Sequence, residues 1–101
     1  MIFEWDEEKA VLNFRKHKIN FAYATSIFND PRRIERLDED ESNDEERWQT
    51  IGMFDKVLFV LYTERGDKTR IISARLADTY ERRIYNGNSD IYPRGWHRAN
   101  T

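Results

Sequence analysis

The spacing of apolar positions changes period several times along the chain, and each change marks an element. Ile2 to Trp5 alternates, placing Phe3 and Trp5 on one face of a short first strand. Asp6 is a side-chain N-cap, and Glu7 and Glu8 follow it at the positive end of a helix dipole, which predicts a helix to about Lys18. Val11, Leu12 and Phe14 are its expected apolar contacts. Lys9, Arg15, Lys16 and Lys18 are its polar positions, with three of those cations in the last turn. Behind a second cap at Asn20, the residues Phe21, Ala24, Ile27 and Phe28 fall at i, i+3, i+6 and i+7. They predict a helix that Asn29, Asp30 and Pro31 end.

Strand periodicity then takes over. Arg33 to Leu37 alternates polar and apolar, as a strand at a sheet edge would. Arg47 to Phe54 sets Trp48 and Thr50 opposite Gln49 and Ile51, and Asp55 and Lys56 make a tight connection into the next run. Val57 to Thr63 is seven strand-forming residues without a charge, the pattern of a central strand covered on both faces. Gly66 and Asp67 mark a turn into Thr69 to Arg75, where strict alternation opposes Arg70, Ile72 and Ala74 to Ile71, Ser73 and Arg75. Leu76, Tyr80 and Ile84, at i, i+4 and i+8, predict a last helix to Tyr85, which Asn86 to Ser89 break. Residues 86–101 form a mixed tail containing Tyr92, Pro93 and Trp96, either an ordered extension or a flexible end. The element order describes an α+β domain over residues 1–85. It has an antiparallel sheet of four to five strands, two N-terminal helices and one C-terminal helix, with the helices on one face.

Composition narrows the function classes. At 101 residues there is room for one domain, burying roughly 65% of its unfolded surface. The 39% apolar and 14% aromatic share suffices for one compact core. No apolar run approaches the roughly 20 residues of a membrane helix. The acidic start (Glu4, Asp6, Glu7, Glu8) is unlike a secretory signal, so a cytoplasmic location is expected. The absence of cysteine excludes disulfides, thiolate metal sites and cysteine nucleophiles. His17 and His97 lie 80 residues apart with no H-E-x-x-H spacing, and no metal or other cofactor is expected.

The net charge of −2 conceals an asymmetry. Residues 38–46 hold seven acids and no base; without them 12 acids face 17 bases, a net of +5. Two blocks concentrate the bases: Arg15 to Lys18, and residues 64–75, ERGDKTRIISAR. In a domain without a phosphate-cradling glycine loop, clustered arginines point to anion recognition, because a guanidinium is a rigid fork of donors matched to phosphate. Arg65, Arg70 and Arg75 are the candidates, with Lys16, Lys68 and Ser73 alongside. The alternative is that they pair with Glu64, Asp67, Asp78 and Glu81 as ordinary surface ions. His17 is either a general acid or base or a cap at the helix C-terminus. The acidic run reads as a solvated loop that repels nucleic acid from one side or docks a basic partner. Trp5 and Trp48 read as core, Trp96 as an exposed binding aromatic, and His97 as incidental.

Five segments in register resemble the BrnT family of bacterial type II toxins: FEWDEEKA (3–10), RKHKINF (15–21), DEERWQTIG (44–52), YTERGDKTRIISAR (62–75) and ERRIY (81–85). The final 16 residues lie outside the resemblance, and their role is unassigned. The resemblance implies a RelE-like α+β fold and a ribonuclease that blocks translation. It implies as partner a BrnA-type ribbon-helix-helix antitoxin, which neutralises the toxin in a hetero-oligomer and supplies the only contact with DNA. In metal-free RNA cleavage the ribose 2′-OH attacks the adjacent phosphate, a base takes its proton and an acid protonates the departing 5′-oxygen. Arg65, Arg70 and Arg75 match the family's motif positions and would stabilise the phosphate charge. Glu64 or His17 is the candidate base, and Tyr85 or His17 the candidate acid. A non-catalytic RNA- or protein-binding module on the same fold is the alternative, and a metal-dependent hydrolase using the acidic run a third reading. The expected surface is a positive patch around Arg65, Arg70 and Arg75 with the acidic run elsewhere.

Overall fold

A computed structural model describes residues 1–39, 45–87 and 92–99. In chain order these form β1 (Ile2–Glu4), α1 (Glu7–His17), α2 (Phe21–Ala24) running into a 3-10 turn (Thr25–Asn29), β2 (Ile34–Asp38), β3 (Arg47–Phe54), β4 (Lys56–Arg65), β5 (Lys68–Leu76), α3 (Thr79–Asn86) and β6 (His97–Arg98). The strands make one sheet in the order β1-β5-β4-β3-β2-β6. β2 to β5 pair antiparallel with their neighbours, as expected, whereas β1 lies parallel to β5. The sheet is therefore mixed. It gains a sixth strand, β6, which pairs with β2 through only two residues, too few to leave a periodicity in the sequence.

The predicted caps form. Asp6 accepts from the backbone N–H groups of Glu8 and Lys9, and Asn20 accepts from that of Ala22. Leu76 does not open the last helix. It stays in β5 opposite Leu58, and α3 starts where Asp78 and Glu81 close a reciprocal capping box. Gly52 of β3 lies against the 3-10 turn: a Cβ there would stand 3.0 Å from Ile27 Cβ, so the absent side chain is what lets the turn seat on the sheet.

Two cores flank the sheet. Ile19, Phe21, Ala24 and Ile27 pack on Leu58, Val60, Tyr62, Ile71 and Ala74. On the opposite face Ile84 and Tyr85 of α3 join Ile34, Ile51, Ala77 and Trp96, against Val57 and Phe59. Helices therefore cover both faces, not one, because successive residues of β4 point to opposite sides and both sides are apolar. Trp96 is 4% exposed and anchors residues 92–99 as an ordered extension, which overturns its reading as an exposed aromatic.

α1 docks on an unexpected face. Val11, Leu12 and Phe14 are 50%, 61% and 47% exposed, and the buried residue is Asn13. Its amide Nδ2 donates to the carbonyls of Ile19 (3.1 Å) and Ala74 (2.8 Å), and its Oδ1 accepts from the N–H of Ala74 (3.1 Å). β1 covers the outer edge of β5 only from Lys68 to Arg70. Beyond it, the Asn13 amide takes the place of a neighbouring strand at Ala74 and satisfies an edge that would otherwise be open.

Candidate functional site

The register of β4 and β5 decides which candidate residues share a surface. Pairing runs from Leu58↔Leu76 to Leu61↔Ser73 and then shifts, so that Tyr62 faces Ile71 and Ile72 is the extra residue of a β-bulge. Ile71 and Ala74 consequently both enter the first core. Thr63, Leu61 and Phe59 point away from that core, and their partners Arg70, Ser73 and Arg75 point with them. Arg65 and Lys68, paired beyond them, fall on this face as well. The alternation predicted for an unbroken strand, with Arg70 opposite Ser73 and Arg75, is thus corrected by one residue. Glu64 pairs with Thr69 on the other face, where its carboxylate accepts from the Thr69 hydroxyl at 3.3 Å.

Each of the three arginines meets a carboxylate. Arg65 holds Glu45 through both Nε (3.0 Å) and Nη2 (2.7 Å). Arg70 pairs with Glu4 at 3.0 Å. Arg75 grips both oxygens of Glu81, at 2.7 and 2.8 Å. Glu45 belongs to the acidic run, and its hydrogen bond from Arg65 pulls its pKa down, helped by the charges of Arg47 and Arg70. The expected separation of arginines from acidic run is therefore wrong at this end: Glu45 of the run lies on Arg65. Residues 40–44, the middle of the predicted loop, lie outside the described residues.

The candidates divide between two ends of the sheet. Arg75 is opposite Phe59, and Arg65 is six residues further along β4, which at the rise of a strand is about 20 Å. At the Arg75 end, the guanidinium lies 4.2 Å over the Phe59 ring and keeps 34% of its side chain exposed. His17, one helical turn beyond Asn13, stands in its field. Desolvation, then the charges of Lys16 and Arg75, push the His17 pKa below 6.5. The C-cap is Lys18, in the left-handed region (φ 62°), so His17 is not the cap. Tyr85 is buried in the second core, its hydroxyl donating to Asp30; burial and that bond push its pKa up. Sequence reasoning passed over Glu81 as a positioning group, although the Asp78-x-x-Glu81 capping-box spacing marks it.

A third feature is a cleft of about 680 Å³ at the outer edge of β2, bordered by Leu37, Asp38, Trp48, Gln49, Arg94 and His97. Trp48, read from its strand position as core, is half-buried and edge-on to His97 at 6.4 Å. Among the described residues no group of three or more His, Asp or Glu side chains is placed to hold a metal ion. No described helix is long and apolar enough to cross a membrane.

Residues 5–81 match a family model described as the ribonuclease toxin, BrnT, of type II toxin-antitoxin systems. The crystal structure of the Brucella abortus ribonuclease toxin BrnT is similar to this fold, with a TM-score of 0.56 and 22% sequence identity over 78% of this chain and 100% of that one. At that identity the likeness speaks for the fold. No curated protein matches.

Proposed function

Because the chain belongs to the BrnT ribonuclease toxins of type II toxin-antitoxin systems, we propose that it cleaves RNA without a metal ion, and so blocks translation, using Arg75 and His17. The observation that carries this reading is the state of Arg75. Its guanidinium is clamped by Glu81, laid on Phe59, still partly open to solvent, and its charge reaches a histidine whose pKa is lowered. A fixed cation and a neutral imidazole supply the two things phosphodiester transfer needs, a charge where the phosphorane oxygens develop theirs and an acceptor for the nucleophile's proton. His17 takes the proton of the 2′-OH as its oxygen bonds to phosphorus. As the bond to the 5′-oxygen breaks, the imidazolium returns the proton to it, leaving a 2′,3′-cyclic phosphate and a 5′-hydroxyl. Ser73, Arg70, Lys68 and Arg65 extend the same face as contacts for neighbouring phosphates, and Lys16 adds charge at the His17 end. Glu64 points away, and the Tyr85 hydroxyl is already given to Asp30, so both proton roles fall to His17 in this mechanism.

The partner is an antitoxin of the BrnA type, a ribbon-helix-helix protein that binds the toxin in a hetero-oligomer in the bacterial cytoplasm and contacts DNA on its behalf. Induced expression without antitoxin arrests growth, and Arg75→Ala and His17→Ala, folded by circular dichroism, relieve the arrest. Purified protein cuts RNA in excess EDTA. Harmless wild-type expression with intact RNA would refute the reading. The pairing of Arg65, Arg70 and Arg75 with carboxylates favours one alternative, a non-catalytic module; it predicts salt-sensitive RNA binding with no cleavage.

A further inference from the structure

We propose that Glu81 is a positioning residue for the cleavage reaction. It grips the end of the Arg75 guanidinium and so leaves one side edge, Nε–H with an Nη2–H, as a two-pronged receptor for the scissile phosphate. This role rests on Arg75 being the group that meets the phosphate, and it adds which donors do so and what aims them. A guanidinium has five N–H donors in one plane. Nη1 of Arg75 donates to Glu81 Oε1 (2.7 Å) and to the Leu76 carbonyl (3.1 Å), and Nη2 donates to Glu81 Oε2 (2.8 Å). Those three bonds leave Nε–H and the second Nη2–H, which lie parallel on one edge and match two oxygens of one phosphate. Among the described residues nothing accepts from either.

Arg65 shows the opposite arrangement. Its Nε and Nη2 both go to Glu45, at 3.0 and 2.7 Å, so the edge that would receive a phosphate already holds a carboxylate. Both side chains there are about half exposed, as in an ordinary surface pair. At Arg75 the exposure is unequal, 34% for the arginine side chain against 11% for Glu81. The carboxylate is the buried member and the cation the open one. Phe59 closes one face of the guanidinium plane at 4.2 Å, which leaves the edge to the substrate.

Glu81 can aim the arginine because it is itself held at two points. Its N–H donates to Asp78 Oδ1 (2.8 Å), and its Oε1 accepts the Asp78 N–H (2.9 Å), the reciprocal box that starts α3. The helix start fixes the carboxylate and the carboxylate fixes the guanidinium, so the donors need no reorganisation as charge develops on the phosphate. Helix capping uses only Oε1; Oε2 serves Arg75 alone.

The test uses the full chain and the variants Glu81→Gln, Asp78→Ala and Arg75→Ala, with kcat and KM for RNA cleavage measured separately. Phosphate contact is probed by NMR with thymidylyl-thymidine, a phosphodiester that lacks the 2′-OH and so is not cut. The dinucleotide should shift the Arg75 Nε–H resonance of the parent protein. In Glu81→Gln one accepting oxygen becomes an N–H donor and the end of Arg75 is released. Its kcat should fall about tenfold or more with KM within about threefold, because the other cations of the face still hold the RNA, and the Nε–H shift should vanish. Asp78→Ala weakens the helix start but leaves Oε2 on Arg75. It should lower the urea midpoint and keep kcat within about twofold of the parent. A fully active Glu81→Gln beside an inactive Arg75→Ala overturns the proposal and spares the reading of Arg75; an active Arg75→Ala overturns both. A rise in KM alone in Glu81→Gln, or an Asp78→Ala as slow as Glu81→Gln, also overturns the positioning role. So does the absence of an Nε–H shift in the parent at millimolar dinucleotide, a result that holds even if Glu81→Gln fails to fold.

Discussion

Replacing Asn13 by alanine removes one buried amide and breaks three hydrogen bonds to backbone, on Ile19 and on both groups of Ala74. Each such bond is worth about 1 kcal/mol net, and a buried N–H or C=O left unpaired costs about 1–3 kcal/mol. The Ala74 groups lie beneath α1 at the end of β1's cover, so water replaces the amide only if the helix lifts. A loss of about 3 kcal/mol results, a large share of the roughly 5–15 kcal/mol that holds a domain of this size. At about 4–8 °C per kcal/mol, Tm falls by roughly 12–24 °C. Leu12→Ala is the control. Its side chain is 61% exposed, so the change costs about 0.5 kcal/mol or less, although hydrophobic patterning alone ranks it the worse of the two. Urea unfolding followed by circular dichroism measures both. Asn13→Ala within about 1 kcal/mol of the parent, or Leu12→Ala the more damaging, would show that α1 is not docked through the edge-filling amide. Because His17 lies one turn beyond Asn13, the same variant should lower RNA cleavage even at temperatures where it stays folded.

Other consequences are separable from this one. His17 has its pKa pushed below 6.5 by desolvation, Lys16 and Arg75, so its neutral form persists to lower pH. The acidic limb of the pH–rate profile should therefore fall below pH 6.5, and Lys16→Ala should move that limb upward. Glu45→Ala leaves the urea midpoint unchanged, because the pair with Arg65 is about half exposed on both sides. By uncovering Arg65 it should tighten RNA binding, most visibly at low salt in a fluorescence-anisotropy titration. Trp96→Ala should cost about 3–5 kcal/mol, the range for emptying a buried aromatic site, with hydrogen exchange quickening in β6 and in the outer strand β2.

Much of the fold was legible because local chemistry and periodicity agreed. Asp6 and Asn20 cap the helices predicted for them, and Val57 to Thr63 lies in the central strand β4 with apolar cover on both faces. Where tertiary contacts chose between equal local options, the reading failed. Val11, Leu12 and Phe14 are apolar and helical in spacing, yet a single polar side chain that completes a distant strand edge outweighed them in orienting α1. Trp96 sits among turn-forming residues with no period around it, and only the gap beside Ile34 and Ile51 made it core. For the candidate site, the arginine block stood out by composition. Its geometry did not, because one bulged residue, Ile72, sets which side chains share a face.

Sequence by itself determined the element types, the absence of thiol chemistry, the concentration of arginines in residues 64–75, and membership of a toxin family through segments whose order and spacing survive without coordinates. These are local or additive properties. Which arginine meets which carboxylate was decided only by the folded chain: Glu45, Glu4 and Glu81 lie 20, 66 and 6 residues from their partners. An ion pair of that kind depends on strand register and helix docking, and a linear charge pattern contains neither. The same holds for the short pairing of β6 with β2, which begins only after left-handed Arg94 and Gly95 have brought the chain back to the sheet.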